Sequence, residues 1–259
     1  MKDSTTIRTE TLDEHILLIT LDRPEARNAF NGEMAHQMER AIDQYEADDQ
    51  LWAAVLTANG PTFSAGQDLK SARTGDMGVT KKRGAFGVMR VPPDKPLIAC
   101  VNGQAFAGGL ELVLSCDLIV ASDTSEFALT EARRALMAGG GGCFRLPRRI
   151  PYHIAMEMIL TGAAFTAQQM FNFGLINRLQ KAEETFDAAI ELAKQLTANS
   201  PIAVQSSRTV AARSFAEQWS EEESWKEQGP YFQRILDSED MVEGLAAFAE
   251  KRDPVWKAR

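Results

Sequence analysis

The chain has 259 residues, which is long enough to bury a hydrophobic core without a disulfide or a metal to support it. Apolar residues make up 44% of the chain and charged residues 25%, and this balance excludes a disordered or collagen-like protein. The formal net charge of −8 argues against sequence-independent binding of nucleic acid, because such binding needs a basic surface.

The first half of the chain alternates short apolar runs with helical patterns. Asn31 is placed to cap a helix whose apolar residues recur at helical spacing from Met34 to Tyr45. The apolar runs that predict strands are 15–21, 52–57, 97–101 and 117–121. Strands that alternate with helices predict an α/β core.

The second half is mainly helical. Helical periods span 152–161, 166–173, 184–199, 201–213, 217–236 and 240–250, and one short strand is predicted at 174–179. We therefore divide the chain into a core at 1–200 and a helical C-terminal region at 201–259. The segment 71–93 mixes glycines, charges and prolines, and its length predicts a mobile loop with a function.

Cysteine usage and the chain start predict a cytoplasmic protein. Cys100, Cys116 and Cys143 lie among apolar or glycine-rich neighbours without metal-ligand spacing, as in a reduced cytosolic protein. The histidines do not form a metal-binding helix motif, so no metal is predicted. Residues 1–8 lack the apolar stretch of a signal peptide, and no apolar run is long enough to span a membrane.

Three segments combine glycines with carboxylates in apolar surroundings: 62–69, 101–117 and 127–142. Gly108 and Gly109 open a helical run, where free N–H groups favour an anion. Glu111 lies in the first turn among apolar residues, so burial is expected to raise its pKa towards neutrality. Alternatively, the glycines permit close packing and Glu111 complements the helix dipole. Glu131 is either a second such carboxyl or an exposed acid that pairs with neighbouring arginines.

Two common glycine-containing motifs are incomplete in this sequence. The dinucleotide-binding pattern needs glycine at 144, where Phe144 stands. The nucleophile elbow of hydrolases around Ser64 needs glycine at 62, where Thr62 stands. The sequence therefore supports neither a Rossmann site nor a serine triad.

Several motifs, taken in order, resemble the crotonase superfamily, which has the enoyl-CoA hydratase/isomerase fold. They are 22–30, 63–69, 102–111, 155–162, 174–177 and 243–252, within a match from about residue 15 to residue 256. The resemblance implies a spiral of ββα units with a helical C-terminal trimerisation region. It also implies an enzyme that stabilises the enolate of an acyl-CoA thioester. Coenzyme A is then part of the substrate, and no separate cofactor is expected.

The resemblance assigns roles within the site. The backbone N–H groups of Gln67 and Gly108 match an oxyanion hole for the thioester oxygen. Glu111 and Glu131 match the two glutamates of the hydrating members, which share proton transfer around one water. The N–H of Gly139 matches a group that steadies this water.

The resemblance places coenzyme A along the segment from Ala65 to Lys70. The backbone of Ala65, Asp68, Leu69 and Lys70 would line it, and Arg27 would reach its phosphates. Phe248 and Lys251 of a neighbouring subunit would help to cover the nucleotide. This arrangement implies a homotrimer or a hexamer of two trimers, with no nucleic-acid or membrane partner.

The resemblance favours an enoyl-CoA hydratase that adds water syn across a 2-enoyl-CoA double bond. An isomerase, a carnitinyl-CoA-type dehydratase and a thioester hydrolase remain alternatives, and so do a non-catalytic RNA-binding or scaffold relative and an unrelated α/β fold. The chain departs from many relatives at Thr130, Ala135 and Ala138. Ala135 is expected to bend its loop differently if the position requires a positive φ. Phe86 and Met89 are expected to shape the acyl pocket.

Overall fold

The structure, a computed structural model, describes residues 5–259; residues 1–4, part of the segment without a signal-peptide pattern, lie outside the described residues. The strands are β1 (Ile7–Leu12), β2 (Ile16–Leu21), β3 (Ala53–Ala58), β4 (Thr62–Ser64), β5 (Val79–Thr80), β6 (Gly84–Ala85), β7 (Leu97–Val101), β8 (Gln104–Phe106), β9 (Leu118–Ser122), β10 (Glu126–Ala128), β11 (Phe165–Thr166) and β12 (Arg178–Gln180). The α-helices are α1 (Gly32–Ala47), α2 (Leu69–Ala72), α3 (Gly108–Val113), α4 (Gly142–Arg149), α5 (Tyr152–Thr161), α6 (Ala167–Asn172), α7 (Thr185–Thr197), α8 (Pro201–Glu217), α9 (Glu221–Glu227), α10 (Gly229–Leu236) and α11 (Glu239–Glu250). Short 3₁₀ helices lie at Pro24–Ala26, Glu131–Arg134 and Ala182–Glu184.

A six-stranded sheet runs in the order β1, β2, β3, β7, β9 and β12. Only the first pair is antiparallel, and the others are parallel. A parallel sheet is covered on both faces, and accordingly every residue of β3 is buried. Ala189 and Ala193 of α7 pack on one face. On the other face, Leu17 and Ile19 of β2 join the larger core that includes α1 and α3.

A second, four-stranded sheet runs in the order β11, β10, β8 and β4, and β4, β8 and β10 are parallel to one another. Each of the pairs β3–β4, β7–β8 and β9–β10 gives its first strand to the large sheet and its second to the small one. This alternation is the ββα spiral that the resemblance implied. It confirms the predicted fold class.

Most predicted elements are confirmed, and two are wrong in detail. Asn31 caps α1 by accepting a hydrogen bond from the Met34 amide at 3.0 Å. The strand predicted at 174–179 is limited to β12, because Gly174 turns the chain at φ +85°. The helix predicted at 217–236 is divided into α9 and α10, because Pro230 lacks the N–H that a continuous helix needs.

The segment 71–93, predicted to be a mobile loop, is instead packed against α1. It contains the β5–β6 hairpin, and the side chain of Arg83 is only 1% exposed. The guanidinium pairs with Asp43 at 2.7 Å and with Glu46, and it donates to the Val91 carbonyl at 2.9 Å. A buried charge needs such partners, so this cluster fixes the segment to the helix.

Replacing Arg83 with methionine should lower the free energy of unfolding by about 3 kcal/mol, because a buried ion pair would lose one partner. The matched control is Lys82→Met, which removes an exposed partner of the same Asp43. That change should cost about 0.5 kcal/mol. Urea denaturation measures both values, and equal losses would show that Arg83 is not a buried anchor.

The C-terminal helices pack largely on one another and are tied to the rest of the chain at a few points. Arg208 of α8 forms a salt bridge with Asp117 at 3.0 Å, and the Trp256 indole donates to the Ala198 carbonyl at 2.9 Å. The domain boundary at residue 200 stays a prediction. Across residues 5–259, no helix combines the length and the apolar character needed to cross a membrane.

Candidate active site

The candidate site lies where β4, β8 and β10 end. These strands are parallel neighbours, so their carboxyl ends meet at one edge of the small sheet. The chain after β4 contains Gln67, the chain after β8 contains Gly108 and Glu111, and the chain after β10 contains Glu131. The topology therefore brings these four predicted residues to one edge, although they are distant in sequence.

Two backbone amides at this edge are free. Phe30 and Gln67 form a parallel β-bridge, in which the Phe30 amide donates to the Gly66 carbonyl and the Asp68 amide donates to the Phe30 carbonyl. The Gln67 amide therefore points away from Phe30. Gly108 is the first residue of α3, and within residues 5–259 neither its amide nor that of Gln67 donates to a protein acceptor. A β-carbon on Gly66 would lie 2.8 Å from Gly108 N, so the two segments are in close contact. Such a pair of donors suits a developing oxyanion.

The residue before Gly108 is strained. Ala107 has φ +52° and ψ −126°, a combination that costs a non-glycine residue about 1–3 kcal/mol. Its amide donates to the Ala128 carbonyl at 2.8 Å, and its carbonyl accepts from the Glu111 amide at 3.2 Å. These bonds hold the conformation that orients the Gly108 amide. Alanine carries no sequence signal for a positive φ, so sequence reasoning missed this residue.

Glu111 is buried in α3 and is 5% exposed. Its Oε1 accepts a hydrogen bond from the Gly142 amide at 2.8 Å. Burial raises the pKa of the Glu111 carboxyl, whereas the amides of the glycine loop and the charge of Arg145 act in the opposite direction. A desolvated carboxyl that still has donors can exist in both protonation states, as proton transfer requires.

Glu131 begins the 3₁₀ helix that follows β10. Its Oε2 is buried and has no hydrogen-bond partner among the described residues. Burial raises the pKa of the Glu131 carboxyl to about 7. A hydrogen bond from its own amide acts against this rise, and the charges of Glu111 and Arg134 then raise and lower the pKa by smaller amounts. The alternative that Glu131 is an exposed acid paired with its neighbouring arginines is wrong.

The glycine loop at 139–142 encloses Glu111. The amide that reaches the carboxylate is that of Gly142, whereas Gly139 is exposed and, among residues 5–259, its amide donates to no protein acceptor. The predicted role of Gly139 with a water stays a prediction. The structure adds Arg145, which no sequence motif singles out. Its guanidinium is partly buried behind the loop and donates to the Gly140 carbonyl at 3.3 Å.

Phe86 and Met89 border the same space. The Phe86 ring stacks on Phe30, with centroids 4.2 Å apart, and a β-carbon on Gly108 would lie 2.6 Å from its Cζ. A β-carbon on Gly140 would lie 2.5 Å from the Met89 Sδ. Both side chains therefore lie against the glycines of the site, where a wall of an acyl pocket is expected.

The predicted coenzyme A segment follows β4. The Ala65 amide donates to the Arg27 carbonyl at 2.9 Å, which places Arg27 beside the start of this segment. Arg27 and Lys70 are exposed, and neither forms a salt bridge within the described part of the chain. The predicted roles, of Arg27 at the phosphates and of the Lys70 backbone along coenzyme A, stay predictions.

Asp68 of the same segment has a structural role that the sequence did not suggest. Its carboxylate caps α2 by accepting from the amides of Lys70 and Ser71, and it pairs with Arg23 at 2.8 Å. Burial opposes ionisation, but these hydrogen bonds lower the pKa of Asp68 below its ordinary value. Its amide donates to the Phe30 carbonyl and its carbonyl accepts from the Ala72 amide, each at 2.9 Å, so both backbone groups are already hydrogen-bonded. The predicted place of Asp68 along coenzyme A stays a prediction.

Phe248 and Lys251 lie on α11 and at its C-terminal cap, away from the strand edge. The Phe248 side chain is 86% exposed. The prediction places both residues on the coenzyme A of a neighbouring subunit, and it stays a prediction.

The loop after Glu131 keeps a left-handed turn despite its alanine. Ala135 itself has φ +54° and ψ +35°, and its amide donates to the Ala132 and Glu131 carbonyls. The expectation that alanine here bends the loop differently is therefore wrong. The tertiary structure holds Ala135 in a conformation that glycine adopts more easily. Within residues 5–259, no group of three or more acidic, histidine or cysteine side chains is placed to hold a metal ion.

Known proteins resemble the chain over nearly its whole length. A sequence model of the enoyl-CoA hydratase/isomerase family matches residues 11–259. The carnitinyl-CoA dehydratase of Escherichia coli O157:H7 is 40% identical over 252 residues, which cover 94% of this chain and 95% of that protein. That of Proteus mirabilis (strain HI4320) is 39% identical over 254 residues, with the same coverage.

Solved structures of similar proteins have the same fold as this chain. The enoyl-CoA hydratase of Mycobacterium tuberculosis H37Rv superimposes with a TM-score of 0.95 at 43% identity, covering 99% of this chain and 100% of that one. A carnitinyl-CoA hydratase of Mycobacterium avium gives a TM-score of 0.76 at 38% identity, with coverage of 99% and 100%.

The ββα spiral defines an α/β fold of the crotonase type, and at one edge of its small sheet a buried and a half-buried carboxyl lie beside two free amides. Such an arrangement suits proton transfer next to a developing oxyanion. The chain belongs to the enoyl-CoA hydratase/isomerase family, that is, to the crotonase superfamily of acyl-CoA enzymes.

Proposed function

We propose that the protein is an enoyl-CoA hydratase, which adds water syn across the double bond of a 2-enoyl-CoA thioester. The observation that carries this proposal is the pair Glu111 and Glu131 beside the free amides of Gln67 and Gly108: the buried Glu111 carboxyl repels the half-buried Glu131 carboxyl, whose Oε2 is buried. An oxyanion hole alone serves many acyl-CoA reactions. Two carboxyls at the same edge favour addition or removal of water, which needs one proton accepted and another delivered.

The two carboxyls have different surroundings, which assigns them different roles. Glu111 receives the Gly142 amide and faces Arg145, so it is the group suited to the ionised form and takes a proton from water. Glu131 has an unpaired buried oxygen and a pKa near 7, so it is suited to hold the proton that is delivered to the α-carbon. The amides of Gln67 and Gly108 stabilise the enolate oxygen between the two steps.

The substrate is held by the segment after β4 and by the wall at Phe86 and Met89. In this proposal, Arg27 and Lys70 attract the phosphates of coenzyme A, and the backbone from Ala65 to Lys70 lines its pantetheine. We further propose a trimer, or a hexamer of two trimers, in which Phe248 and Lys251 cover the nucleotide of the adjacent subunit. The exposure of large apolar side chains on α10 and α11 supports this assembly; they include Phe232, Val242, Leu245 and Phe248.

A carnitinyl-CoA dehydratase is the second candidate, since the curated relatives at about 40% identity carry that name. It uses the same two carboxyls in the opposite direction, on a substrate with a cationic acyl group. An isomerase or a thioester hydrolase would leave one carboxyl of the pair without a role.

Incubation with crotonyl-CoA tests the proposal directly. We expect loss of the conjugated thioester absorbance without release of free thiol, and a 3-hydroxyacyl-CoA product. Carnitinyl-CoA, assayed in parallel for dehydration, separates the second candidate: a kcat/KM more than tenfold higher for carnitinyl-CoA would support it. Release of free thiol would contradict both candidates and support hydrolysis.

A further inference from the structure

We propose that Arg145 is a positioning residue for Glu111, because its guanidinium joins the three backbone segments that enclose the Glu111 carboxylate. The inference deepens the proposed hydratase function and rests on it, since it takes Glu111 as one of the two reacting carboxyls. The sequence contains no motif that singles out Arg145 for this role.

One planar group contacts all three segments. Nη1 of Arg145 donates to Ser115 Oγ, at the end of α3, at 2.9 Å and to the Gly140 carbonyl at 3.3 Å. Nη2 donates to the Met89 carbonyl at 2.5 Å. The rigid fork of a guanidinium can bond several acceptors in one plane, whereas a lysine ammonium acts as a single point charge.

Each segment in turn contacts Glu111. Ser115 Oγ donates to the Glu111 carbonyl at 2.9 Å, so it holds the backbone of the glutamate. The glycine loop supplies the Gly142 amide to Oε1, and a β-carbon on Gly140 would lie 2.8 Å from Oε2. The same β-carbon would lie 2.5 Å from the Met89 Sδ, so the Met89 segment closes the space beside the carboxylate. Loss of Arg145 would therefore loosen both the glutamate and its surroundings.

The charge of Arg145 also acts on Glu111. Within residues 5–259, Arg145 forms no salt bridge, and Glu111 is the carboxylate that interacts with it electrostatically. The other ionisable groups that act on Glu111 or Arg145 are Glu131, Cys143, Arg149 and Cys116. Of these, Arg149 repels Arg145, and Glu131 repels Glu111, so Arg145 is the cation that stabilises the ionised form of Glu111.

Two substitutions separate geometry from charge. Arg145→Gln removes both the fork and the charge, whereas Arg145→Lys keeps the charge and loses the fork. We expect each to lower kcat for crotonyl-CoA by about 10²-fold with little change in KM, because small displacements of a reacting group have effects of this size. Only Arg145→Gln should raise the pKa of Glu111, by about one unit. The matched control is Arg148→Gln, an exposed arginine on the same helix, which should behave as the unsubstituted protein.

Carbon-13 NMR of protein labelled at the glutamate carboxyls gives the pKa of Glu111 independently of activity, with Glu111→Gln to identify its resonance. Circular dichroism first establishes that each variant is folded. If Arg145→Gln does not fold, the test uses Arg145→Lys, in which kcat should fall while the pKa of Glu111 stays unchanged.

The inference is overturned if folded Arg145→Gln keeps the kcat and the Glu111 pKa of the unsubstituted protein. It is overturned as well if Arg145→Gln and Arg145→Lys both match the control Arg148→Gln in kcat and in the pKa of Glu111. It is also overturned if the substitutions raise KM and leave kcat unchanged. If the unsubstituted protein does not hydrate crotonyl-CoA but Arg145→Gln raises the pKa of Glu111, the positioning role stands and the proposed function fails.

Discussion

Replacing Glu131 with glutamine should lower kcat for hydration of crotonyl-CoA by about 10²–10⁴-fold, because an amide has no acidic proton to deliver to the α-carbon. The expected size is large because Oε2 of Glu131 is buried, so bulk water is poorly placed to replace it. Steady-state kinetics, with circular dichroism to confirm folding, measures the effect.

The pH profile gives the same prediction a second test. The carboxyl must be protonated for hydration, and its pKa lies at about 7, so kcat of the unsubstituted protein should fall as the pH rises above that value. This decrease of kcat at high pH should be absent in Glu131→Gln. The matched control is Glu126→Gln on β10, a partly buried glutamate that accepts a hydrogen bond from Gln104 at 3.2 Å. Full turnover by Glu131→Gln would exclude Glu131 as the proton donor.

Replacing Gly66 with alanine should lower kcat by about 10²–10³-fold through the oxyanion hole, although the substitution adds only a methyl group. The new carbon would lie 2.8 Å from Gly108 N and 3.1 Å from the Phe106 carbonyl oxygen. Both neighbours are backbone atoms, so the Gly108 amide has to move from its place beside Gln67. The effect should fall mainly on kcat, because an oxyanion hole binds the transition state more tightly than the substrate.

Backbone strain has to be separated from this collision. Gly66 has φ +92°, a value that is strained for alanine wherever it occurs. Gly75 has the same φ of +92°, and a β-carbon there would have no neighbouring atom within 4 Å, so Gly75→Ala imposes the strain alone. We expect Gly75→Ala to lower thermal stability slightly and to leave kcat unchanged. Equal kcat values for the two variants would contradict the proposed oxyanion hole.

Local features of the sequence predicted local features of the structure. The capping side chain of Asn31 and the helix at 152–161 depend only on neighbouring residues, and both are found as predicted. The division of the helix at Pro230 had a local signal in the Gly229–Pro230 pair, which the helical periodicity outweighed.

Burial of charged residues was not predictable in the same way. Arg83 and Arg145 look like any other arginine in the sequence, and Arg83 lies in a segment whose composition suggests a loop. Arg83 is buried because Asp43 and Glu46 face it from α1, and Arg145 because the glycine loop, Met89 and Ser115 surround it. These partners are distant in sequence, so only the packed chain brings them together.

By itself, the sequence determined the α/β class of this protein, its family resemblance and the identity of the residues Gln67, Gly108, Glu111 and Glu131. The class follows from apolar periodicity, and the choice of these four residues follows from the family resemblance that short local motifs carry. The tertiary structure decided that β4, β8 and β10 are parallel neighbours, and therefore that these residues meet at one edge. It also decided that the Gly142 amide donates to Glu111, whereas Oε2 of Glu131 has no partner among the described residues, because desolvation and hydrogen bonding depend on the surroundings that the fold supplies.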